Sequence, residues 1–588
     1  MPPVTLQNLL EWLQAASLPA ELRGDPLREV RGLAYDSRQV QPGDAFFCIP
    51  GLKTDGHNFA AEAIGRGAAA LVVQRWIEDE PSPSPGPQSA DGSAQGGFPR
   101  VQAPSQLRVA DPRLALALIS SRFYHVPSAS LGLVGITGSN GKTTTAHMAE
   151  AILAAAGQRT GLIGTIWTKV AGKAEPAVRT TPESLDLQRL FRRMADASVT
   201  WAVMEVSSHA LALQRVAGAE FDMAVLTNIT RDHFDFHGDF TNYLETKLRL
   251  FFGLGAGEGP VLHPGTGGAA RSSCKPLQKT AILNHDDPNA THFIRAARSH
   301  GNRLVAYSIA PLSRSSLGTY DAAVWAEAVH LHPLCSQFVA CYSGFPGRRL
   351  RAGRVLIHLP VPGRFNVYNA LAAMSVGLAA GVPAATIAAA LRTLPPIPGR
   401  YEVIDEGQPF SVLVDFAHNP AALTNILQVP APSPAGRRII VFGAEGGKDQ
   451  GKRPLMGEAV ARHADYAILT TDNAPTEDPR AIAAQVEAGI LRALEPQAAL
   501  GAAAVSSGGV GPGSGAPAVD PGLPGPSRLR HYEVVLDRRQ AIRQALSWAE
   551  PGDLVIIAGK GNEAFQVFAD RKIPFDDRQV VRELLRHP

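Results

Sequence analysis

The sequence predicts an α/β protein of three domains built on parallel sheets. Two observations support this prediction: 588 residues are too many for one hydrophobic core, and short apolar runs alternate with helical patterns along the chain. Six of these runs look like buried strands that stop at polar or glycine residues, at 131–136, 201–206, 223–226, 438–442, 467–469 and 554–558. Such alternation is typical of parallel sheets, whose ligands gather at the carboxyl ends of the strands.

Two joints in the sequence suggest the domain limits. A loop near residue 110 precedes the strand predicted at 131–136, and the stretch PPIPG at 395–399 forms a stiff connection. We therefore expect three domains, at 1–110, 111–397 and 398–588. Residues 82–98 and 501–528 are rich in Pro, Gly, Ser and Ala and are predicted to be flexible insertions. The segments near 254–275 and 311–352 are less extreme and are predicted to be elaborated loops.

The composition argues against several classes of protein. Hydrophobic residues make up 45% and charged residues 19%, and a net charge of +3 without basic clusters gives no support to nucleic-acid or membrane-surface binding. The four scattered cysteines lack metal-ligand spacing, which favours a reducing compartment. No Lys or Arg precedes Arg23, and Leu6, Leu9, Leu10 and Leu13 fall on one face of a short helix rather than in a signal peptide. Because no apolar run reaches about 18 residues, we expect a cytoplasmic protein without membrane insertion.

The stretch GITGSNGKTTT at 135–145 has the features of a phosphate-binding loop. A strand runs into a glycine turn, after which Lys142 and Thr143 open a helix whose N–H groups can cradle a polyphosphate. Lys142 can reach the β- and γ-phosphates, and Thr143 can bind Mg²⁺. Five residues rather than the usual four separate Gly135 from Gly141, and the alternative is a structural glycine turn. The predicted ATP contacts of the loop are Gly138, Ser139, Asn140, Gly141, Lys142, Thr143 and Thr144.

Glu205 and His233 follow two of the predicted buried strands, in MEVSSHAL and in NITRDHFDFHG. The carboxyl ends of those strands lie where the phosphates are expected, and a carboxylate oxygen and an imidazole there suggest Mg²⁺ sites. Taken singly, each residue is more simply a hydrogen-bonded loop residue. Their shared position next to the phosphate loop favours the metal sites.

Together, GITGSNGKTTT, MEVSSHAL, TNITRDHFDFHG, GRFNVYNALAA and VDFAHNP, with Lys247 after the third, resemble the Mur ligases. Within that family they look like the type that adds the third residue to the peptidoglycan stem peptide. The resemblance extends from Ser37 to about Arg582, apart from the insertions. It implies a UDP-substrate-binding N-terminal domain, a central P-loop-type ATPase domain with a parallel sheet, and a Rossmann-like C-terminal domain that binds the amino acid.

The resemblance also implies the chemistry. Such ligases use ATP to phosphorylate a substrate carboxylate, and an amine then attacks the acyl phosphate; the substrates here would be UDP-N-acetylmuramoyl-L-alanyl-D-glutamate and a diamino acid, and the enzyme a monomer. By family match Lys142, His233 and Lys247 are catalytic, Thr143 and Glu205 bind one Mg²⁺, and His233 binds a second. Lys247 matches a lysine that CO₂ carbamylates, which turns a cation into an anionic Mg²⁺ ligand. The alternative for Lys247 is a plain surface lysine of a helix.

Further contacts are implied on the nucleotide and sugar sides. Asn366 and Asn369 match adenine contacts, with helix capping as the alternative for Asn366. Arg400 and Asp415 match residues that reach ATP when the C-terminal domain closes. The residues implied for the UDP-substrate are Ser37, Thr180, Thr181, Ser207 and Arg215. Arg215 suits a carboxylate or phosphate because its guanidinium binds bidentately, whereas Leu213 stands where a glutamine is usual.

The third amino acid is read by the C-terminal domain, and the match is weakest there. The residues implied are Lys448, Asp472, Asn473, Gly559 and Glu563. Members that add diaminopimelate carry an arginine where this chain has Pro475, and Lys448 stands where a second arginine is usual. Meso-diaminopimelate and L-lysine therefore both remain open. VDFAHNP also departs from the commoner form, which has threonine in place of Asn419.

The sequence leaves two other functions as alternatives. A paralogous Mur-type ligase could use another acyl acceptor, but such enzymes lack the UDP domain that residues 20–105 resemble. A catalytically silent scaffold is the second alternative. The presence of Lys142, Glu205, His233 and Lys247 argues against it, because an idle site has no physical need for all four.

Overall fold

The structure is a computed structural model that describes residues 3–51, 54–78, 104–255, 278–345, 350–495 and 527–587. It contains three α/β units in chain order, each built on its own sheet, which confirms the predicted fold class. The predicted insertion at 82–98 lies outside the described residues. So do all but residues 527–528 of the insertion at 501–528 and all but residues 254–255 of the loop at 254–275.

The N-terminal sheet has five strands in the order β1-β5-β4-β3-β2, and only β1 is antiparallel to its neighbour. Its elements are α1 (Leu6–Ala15), β1 (Ala20–Arg23), β2 (Gly32–Ala34), β3 (Asp44–Phe47), α2 (Ala60–Gly65), β4 (Ala70–Val73), β5 (Ser105–Val109) and α3 (Pro112–Phe123). Helix α1 begins with a capping box made by Thr5 and Asn8. It buries Leu6, Leu9 and Leu13 as predicted, while Leu10 is half-buried.

The central sheet has eleven strands in the order β16-β15-β14-β13-β12-β11-β6-β10-β7-β8-β9. Its elements are β6 (Gly132–Thr137), α4 (Lys142–Ala155), β7 (Thr160–Ile163), β8 (Trp167–Val170), β9 (Lys173–Pro176), α5 (Ser184–Asp196), β10 (Trp201–Glu205), α6 (Ser208–Ala212), β11 (Met223–Leu226), α7 (Phe234–His237), α8 (Phe240–Gly255), β12 (Thr280–Asn284), α9 (Ala290–Arg298), β13 (Arg303–Ser308), α10 (Arg314–Leu317), β14 (Ala322–Leu331), β15 (Ser336–Tyr342), β16 (Gly353–Leu359), α11 (Arg364–Ala380) and α12 (Ala384–Arg392). The seven consecutive strands from β14 to β7 are parallel, and antiparallel strands extend both edges.

The prediction of a loop at 311–352 is wrong for the central part of the segment. Strands β14 and β15 lie there and pair antiparallel with each other, and β15 pairs with β16. The outer half of β14 alternates between half-buried and exposed residues, because one face of this part of the sheet meets solvent. Such strands lack the continuous apolar run that marks a strand buried on both faces.

The C-terminal sheet has six strands in the order β17-β18-β22-β19-β20-β21, with only β17 antiparallel. Its elements are β17 (Glu402–Ile404), β18 (Ser411–Asp415), α13 (Pro420–Leu427), β19 (Arg438–Phe442), α14 (Lys452–His463), β20 (Tyr466–Leu469), α15 (Pro479–Leu494), β21 (His531–Val534), α16 (Arg538–Trp548), β22 (Leu554–Ala558) and α17 (Asp577–Arg586), with a hairpin of β23 (Phe565–Val567) and β24 (Lys572–Pro574). All six strands predicted from apolar runs are present, within one residue at each end.

The central and C-terminal domains touch at the carboxyl ends of their parallel strands. Asn419 donates a hydrogen bond to Asn140 across this junction (3.0 Å), and Arg231 forms an ion pair with Asp449 (3.3 Å). A cavity lies between the two domains, where doubly wound sheets bind their ligands. No helix within the described ranges is long and apolar enough to cross a membrane.

Candidate active site

The loop between β6 and α4 has a backbone that requires glycine at two positions. Gly138 and Gly141 have φ values of +146° and +86°. A Cβ on Gly138 would lie 1.9 Å from the Thr227 hydroxyl oxygen, and one on Gly141 would lie 2.4 Å from the Asn369 side-chain oxygen. The loop therefore keeps its shape only with glycine at both positions, and α4 begins directly after it at Lys142.

The segment after β11 fixes the loop from the side. Asn140 N–H donates to Asn228 Oδ1 (3.1 Å), and the hydroxyl of Ser139 donates to the carbonyl of Thr230 (2.9 Å). The Lys142 ammonium donates to two carbonyls of the loop itself, those of Gly138 (2.8 Å) and Ser139 (2.9 Å). Burial lowers the pKa of Lys142. The positive charge is thus held at the centre of a rigid glycine loop, as phosphate binding requires.

Glu205, at the end of β10, is the buried carboxylate nearest to the start of α4. Its Oε2 accepts hydrogen bonds from the hydroxyls of Thr143 (2.8 Å) and Thr165 (3.1 Å), and its Oε1 accepts one from Thr165 N–H (2.7 Å). The parallel register of β10 with β6 sets Glu205 beside Ile136, two residues before the loop. An oxygen cluster of one carboxylate and hydroxyls next to a phosphate site suits Mg²⁺, which takes one or two carboxylates plus phosphate and water.

Lys247 is buried in α8, so its interpretation as an exposed helix lysine is wrong. Its Nζ donates to the Gly138 carbonyl (2.9 Å) and lies 4.8 Å from the ring centroid of Tyr243, whose hydroxyl pairs with Ser139 (2.8 Å). Burial lowers the pKa of Lys247 well below its ordinary value, and the charge of Lys142 lowers it further. A neutral amine is the form that reacts with CO₂, so the environment suits carbamylation.

His233 lines the same cavity from the turn before α7. Its backbone is left-handed (φ 57°), a conformation that is uncommon outside glycine, and its Nε2 lies 3.7 Å from Asp232. Burial lowers its pKa, which favours the neutral imidazole that binds metals. Among the described residues no cluster of three or more His, Cys, Asp and Glu side chains is arranged to hold a metal. A second Mg²⁺ would therefore need further oxygens, such as those of a carbamate.

The adenine-side residues differ in their exposure to the cavity. Asn369 lines it, and its Oδ1 accepts from Thr145 (3.2 Å). Asn366 is buried behind it, donates to the Pro362 carbonyl (2.7 Å) and accepts from Asn369 (3.0 Å). Asn366 does not line the cavity, so a direct adenine contact lacks support. Its side chain makes no bond to a helix N–H, so the helix cap lacks support as well. Its visible effect is to orient Asn369.

Arg400 and Asp415 approach from the C-terminal domain, and both line the cavity. Arg400 stacks over Phe416, with 4.3 Å from Cζ to the ring centroid. Asp415 accepts from Tyr401 N–H (2.8 Å), and burial raises the pKa of its carboxyl to about 6 although Arg400 attracts the charged form. Both residues line the phosphate-loop cavity, and their contact with ATP stays a prediction.

The residues implied for the UDP-substrate are not all together. Thr180 and Ser207 line the cavity, and buried Thr181 donates to the Glu205 carbonyl (2.8 Å). Arg215 forms an ion pair with Glu183 (2.9 Å) and donates to the Thr181 carbonyl (3.2 Å). Ser37 does not line this cavity, because it lies in the N-terminal domain, where its hydroxyl donates to Glu62 (2.7 Å). A long substrate would be needed to join these two places.

The residues implied for the amino acid form one cluster on the opposite wall. Asp472, Asn473, Gly559, Glu563 and Lys448 all line the cavity. Asn473 donates to Glu563 Oε2 (3.0 Å), and the buried ammonium of Lys560 donates to the same oxygen (2.8 Å) and to Asn473 Oδ1 (3.1 Å). Lys448 is exposed. The cluster therefore offers carboxylates for an amino group and one flexible cation at its rim.

Comparisons with known proteins agree with this geometry. Residues 29–124 match the Mur ligase family catalytic domain, 136–267 and 268–377 the Mur ligase middle domain, and 399–561 the Mur ligase glutamate ligase domain. A UDP-N-acetylmuramoyl-L-alanyl-D-glutamate–2,6-diaminopimelate ligase from Geobacillus thermodenitrificans is 38% identical over 563 residues, 96% of each chain. The chain belongs to the Mur ligase family. A protein of the same name from Solibacter usitatus is 39% identical over 584 residues, 98% of each chain.

Solved structures resemble this Mur ligase over its whole length. A UDP-N-acetylmuramoyl-L-alanyl-D-glutamate–2,6-diaminopimelate ligase is 26% identical, with a TM-score of 0.58 over 99% of each chain. The MurF ligase of Thermotoga maritima in complex with ADP is 16% identical, with a TM-score of 0.54 over 94% of this chain and 97% of that one. The latter likeness shows the fold alone.

Sequence reasoning about this Mur ligase missed several residues of the cavity wall, among them Thr165, Asp232, Tyr243, His418 and Lys452. Asp232 and His418 sit inside the quoted motifs, so their position was a signal. Thr165 follows β7, which pairs with β10, and its two bonds to Glu205 depend on that pairing. Nothing in the sequence near Lys452 marks it.

Proposed function

We propose that this chain is an ATP-dependent ligase that joins a diamino acid, in the first place meso-diaminopimelate, to UDP-N-acetylmuramoyl-L-alanyl-D-glutamate. One observation carries the proposal: a single cavity has a phosphate loop with the Thr143–Glu205 pair on one wall and the carboxylates Asp472 and Glu563 on the other. An acyl phosphate formed at the first wall would meet an amine held at the second. Relatives with this named activity, similar along nearly the full chain, support the choice of substrates.

The oxygen donors of Thr143 and Glu205 fit one Mg²⁺, which would neutralise phosphate charge when bound. Lys142 and the N-terminus of α4 supply further positive charge around the phosphates. The loop needs no rearrangement to do so, because Thr227 and Asn228 already bond its backbone at Asn140. Preorganised charge of this kind is usually the largest contribution to such a reaction.

We also infer that Lys247 carries a carbamate. Its buried position beside the Gly138 carbonyl and its lowered pKa favour the neutral amine, whose lone pair attacks the carbon of CO₂. The carbamate would add anionic oxygens next to His233, where the described side chains alone do not make a complete metal site. Burial also protects the adduct from solvent.

Specificity for the amino acid rests on the opposite wall. Glu563 and Asp472 suit an ammonium group, whereas Pro475 offers no charge where an arginine would hold the distal carboxylate of diaminopimelate. Lys448 at the rim is the cation available for that carboxylate, but as a point charge it lacks the two-pronged geometry of arginine. The named activity of the relatives favours diaminopimelate as the principal substrate, and the missing arginine makes L-lysine a close competitor.

One assay tests this function against the alternatives. Phosphate release is measured with ATP, UDP-N-acetylmuramoyl-L-alanyl-D-glutamate and one amino acid at a time. Release that needs both this acceptor and a diamino acid is the expected result. Release only with a different acyl acceptor would identify a paralogous ligase, and no release with any acceptor would identify a silent scaffold.

A further inference from the structure

Lys452 is a buried lysine of the cavity wall without a partner. It is the first residue of α14, it is 4% exposed, and it lines the cavity between the two domains. Among the described residues its ammonium has neither a hydrogen bond nor an ion pair, although it is not sealed off from the cavity. Burying a charge without a partner is costly, so such a group is expected to meet an anion that binds there.

Apart from Lys448, which is exposed, the other lysines at this junction are already bonded. Lys142 and Lys247 donate to the Gly138 carbonyl, and Lys560 donates to Glu563. The neighbour in sequence, Arg453, is fully buried and is paired with Glu477 (2.8 Å). Among the lysines of the cavity wall that are not exposed, Lys452 is the one whose charge has no bonded partner within the described residues.

The residues around Lys452 indicate that the anion expected to bind it lies at the phosphate-loop end of the cavity. Burial lowers the pKa of His418 to about 4, and the charge of Lys452 lowers it further. Asp232 and His418 line the same cavity as Lys452. Asp232 precedes the proposed metal ligand His233, and the residue after His418 bonds to the phosphate loop. The amino-acid cluster has its own buried cation in Lys560.

We propose that Lys452 is a catalytic residue that binds the phosphoryl group during its transfer from ATP to the substrate carboxylate. This inference rests on the proposed function. A carboxylate oxygen forms a bond to the γ-phosphorus while the bond from that phosphorus to the β,γ-bridging oxygen breaks, and ADP leaves with the electron pair. The Lys452 ammonium pairs with the phosphoryl oxygens and keeps its proton. It stabilises the later departure of inorganic phosphate in the same way, when the amine attacks the acyl carbon.

Because Lys452 belongs to the C-terminal domain, it faces the phosphate loop only when the two domains meet. Lys142 and α4 hold the phosphates from the central domain, and Lys452 completes the positive charge from the other side. Phosphoryl transfer would then be fast only in the closed enzyme, where water is excluded from the acyl phosphate.

The test is positional isotope exchange in ¹⁸O-labelled ATP, with UDP-N-acetylmuramoyl-L-alanyl-D-glutamate and no amino acid. This exchange reports reversible acyl-phosphate formation alone. Lys452→Met keeps nearly the length of the side chain and removes its charge. We expect the rate of isotope exchange to fall by about 100-fold, as it does when an enzyme loses one donor that stabilises transition-state charge. Lys452→Arg should recover part of the rate. The matched control is Lys572→Met, which removes the same charge from the exposed strand β24 of the same domain and should exchange like the wild type.

The outcomes separate this proposal from the function on which it rests. Wild-type exchange together with unimpaired exchange in Lys452→Met would overturn the role of Lys452 and leave the ligase function standing. A variant with normal exchange but a raised KM for the amino acid would assign Lys452 to the amino-acid cluster instead. No exchange in the wild type would overturn the proposed function and this inference together. Lys452→Met should also keep or raise the thermal midpoint, whereas a purely structural lysine would lower it.

Discussion

The side-chain amide of Asn419 donates a hydrogen bond to Asn140 Oδ1 across the junction of the central and C-terminal domains, at 3.0 Å. The oxygen of the same Asn419 side chain accepts from Ala422 N–H (2.9 Å) and caps helix α13. Asn419 is completely buried, and Asn140 belongs to the phosphate loop. One side chain therefore ties the start of a C-terminal helix to the geometry of the nucleotide site.

Asn419→Ser should separate these two roles. Serine caps a helix as well as asparagine does, but it is too short to reach Asn140. We expect kcat/KM for ATP to fall by about tenfold, which corresponds to one hydrogen bond of about 1.4 kcal/mol, with little change in thermal midpoint. Asn419→Ala should show the same kinetic loss plus about 1 kcal/mol of lost stability. Wild-type kinetics in Asn419→Ser would show that the contact does not affect the loop.

Lys142→Ala should abolish ATP turnover and leave the fold intact. The ammonium contacts only the carbonyls of Gly138 and Ser139, so its removal leaves the core packing unchanged. Turnover and the thermal midpoint are measured on the same preparation. Near-normal turnover would refute the assignment of the phosphate loop, and a collapsed midpoint would make Lys142 structural.

Lys247→Ala should be nearly inactive, and short-chain carboxylates such as formate or acetate should restore part of the activity by supplying the missing oxygens. Wild-type activity should fall in CO₂-depleted buffer and return on adding bicarbonate. Mass spectrometry under native conditions checks for the adduct. Full activity without CO₂, in a protein that lacks the adduct, would contradict the carbamate.

Pro475→Arg should shift the preference of the enzyme towards diaminopimelate. We compare the ratio of kcat/KM for diaminopimelate to kcat/KM for L-lysine. In the wild type we expect this ratio to be smaller than in an enzyme with that arginine, by roughly ten- to several-hundred-fold or about 1.5–3 kcal/mol. Ala474 should be kept, because its N–H donates to the Val567 carbonyl (2.8 Å) and a proline there would remove that bond. The measurement is kcat/KM for both amino acids in both proteins. A wild type that rejects lysine by several orders of magnitude would show that another residue reads the distal carboxylate.

Asp415 should make stability depend on pH in the direction opposite to that of an ion-paired carboxylate. Burial raises its pKa to about 6, so the folded protein holds this proton more tightly than the unfolded chain does. The resulting stabilisation is fully present below about pH 4 and is lost as pH rises through 6. Asp415→Asn keeps an acceptor for Tyr401 N–H and lacks the titration. Between about pH 5 and pH 8 the wild type should lose about 1 kcal/mol relative to the variant, in urea unfolding. Parallel profiles for the two proteins would contradict the raised pKa.

The sequence contained those parts of the site that depend on contiguous residues. Strands buried on both faces, such as β6 and β22, appear as apolar runs, and the phosphate loop lies within one stretch of eleven residues. Edge strands such as β16 lack that signal because one face is exposed. The contact of Asn419 with Asn140 joins residues 279 positions apart and depends on how two domains meet. Lys452 likewise lacks a bonded partner only because of how the described residues are arranged in the folded protein. The order of residues in the sequence does not reveal this.

The order of strands in the C-terminal sheet also determines when that domain can form during synthesis. Strand β18 (Ser411–Asp415) has β22 (Leu554–Ala558) as its inner neighbour, and β22 separates it from β19. Until the ribosome has made β22, the nascent chain lacks the strand that lies between β18 and β19 in the folded sheet. These two strands then expose their apolar residues. The N-terminal sheet is complete once β5 ends at Val109. We therefore expect the first domain to fold during translation and the last to depend on chaperones until β22 emerges.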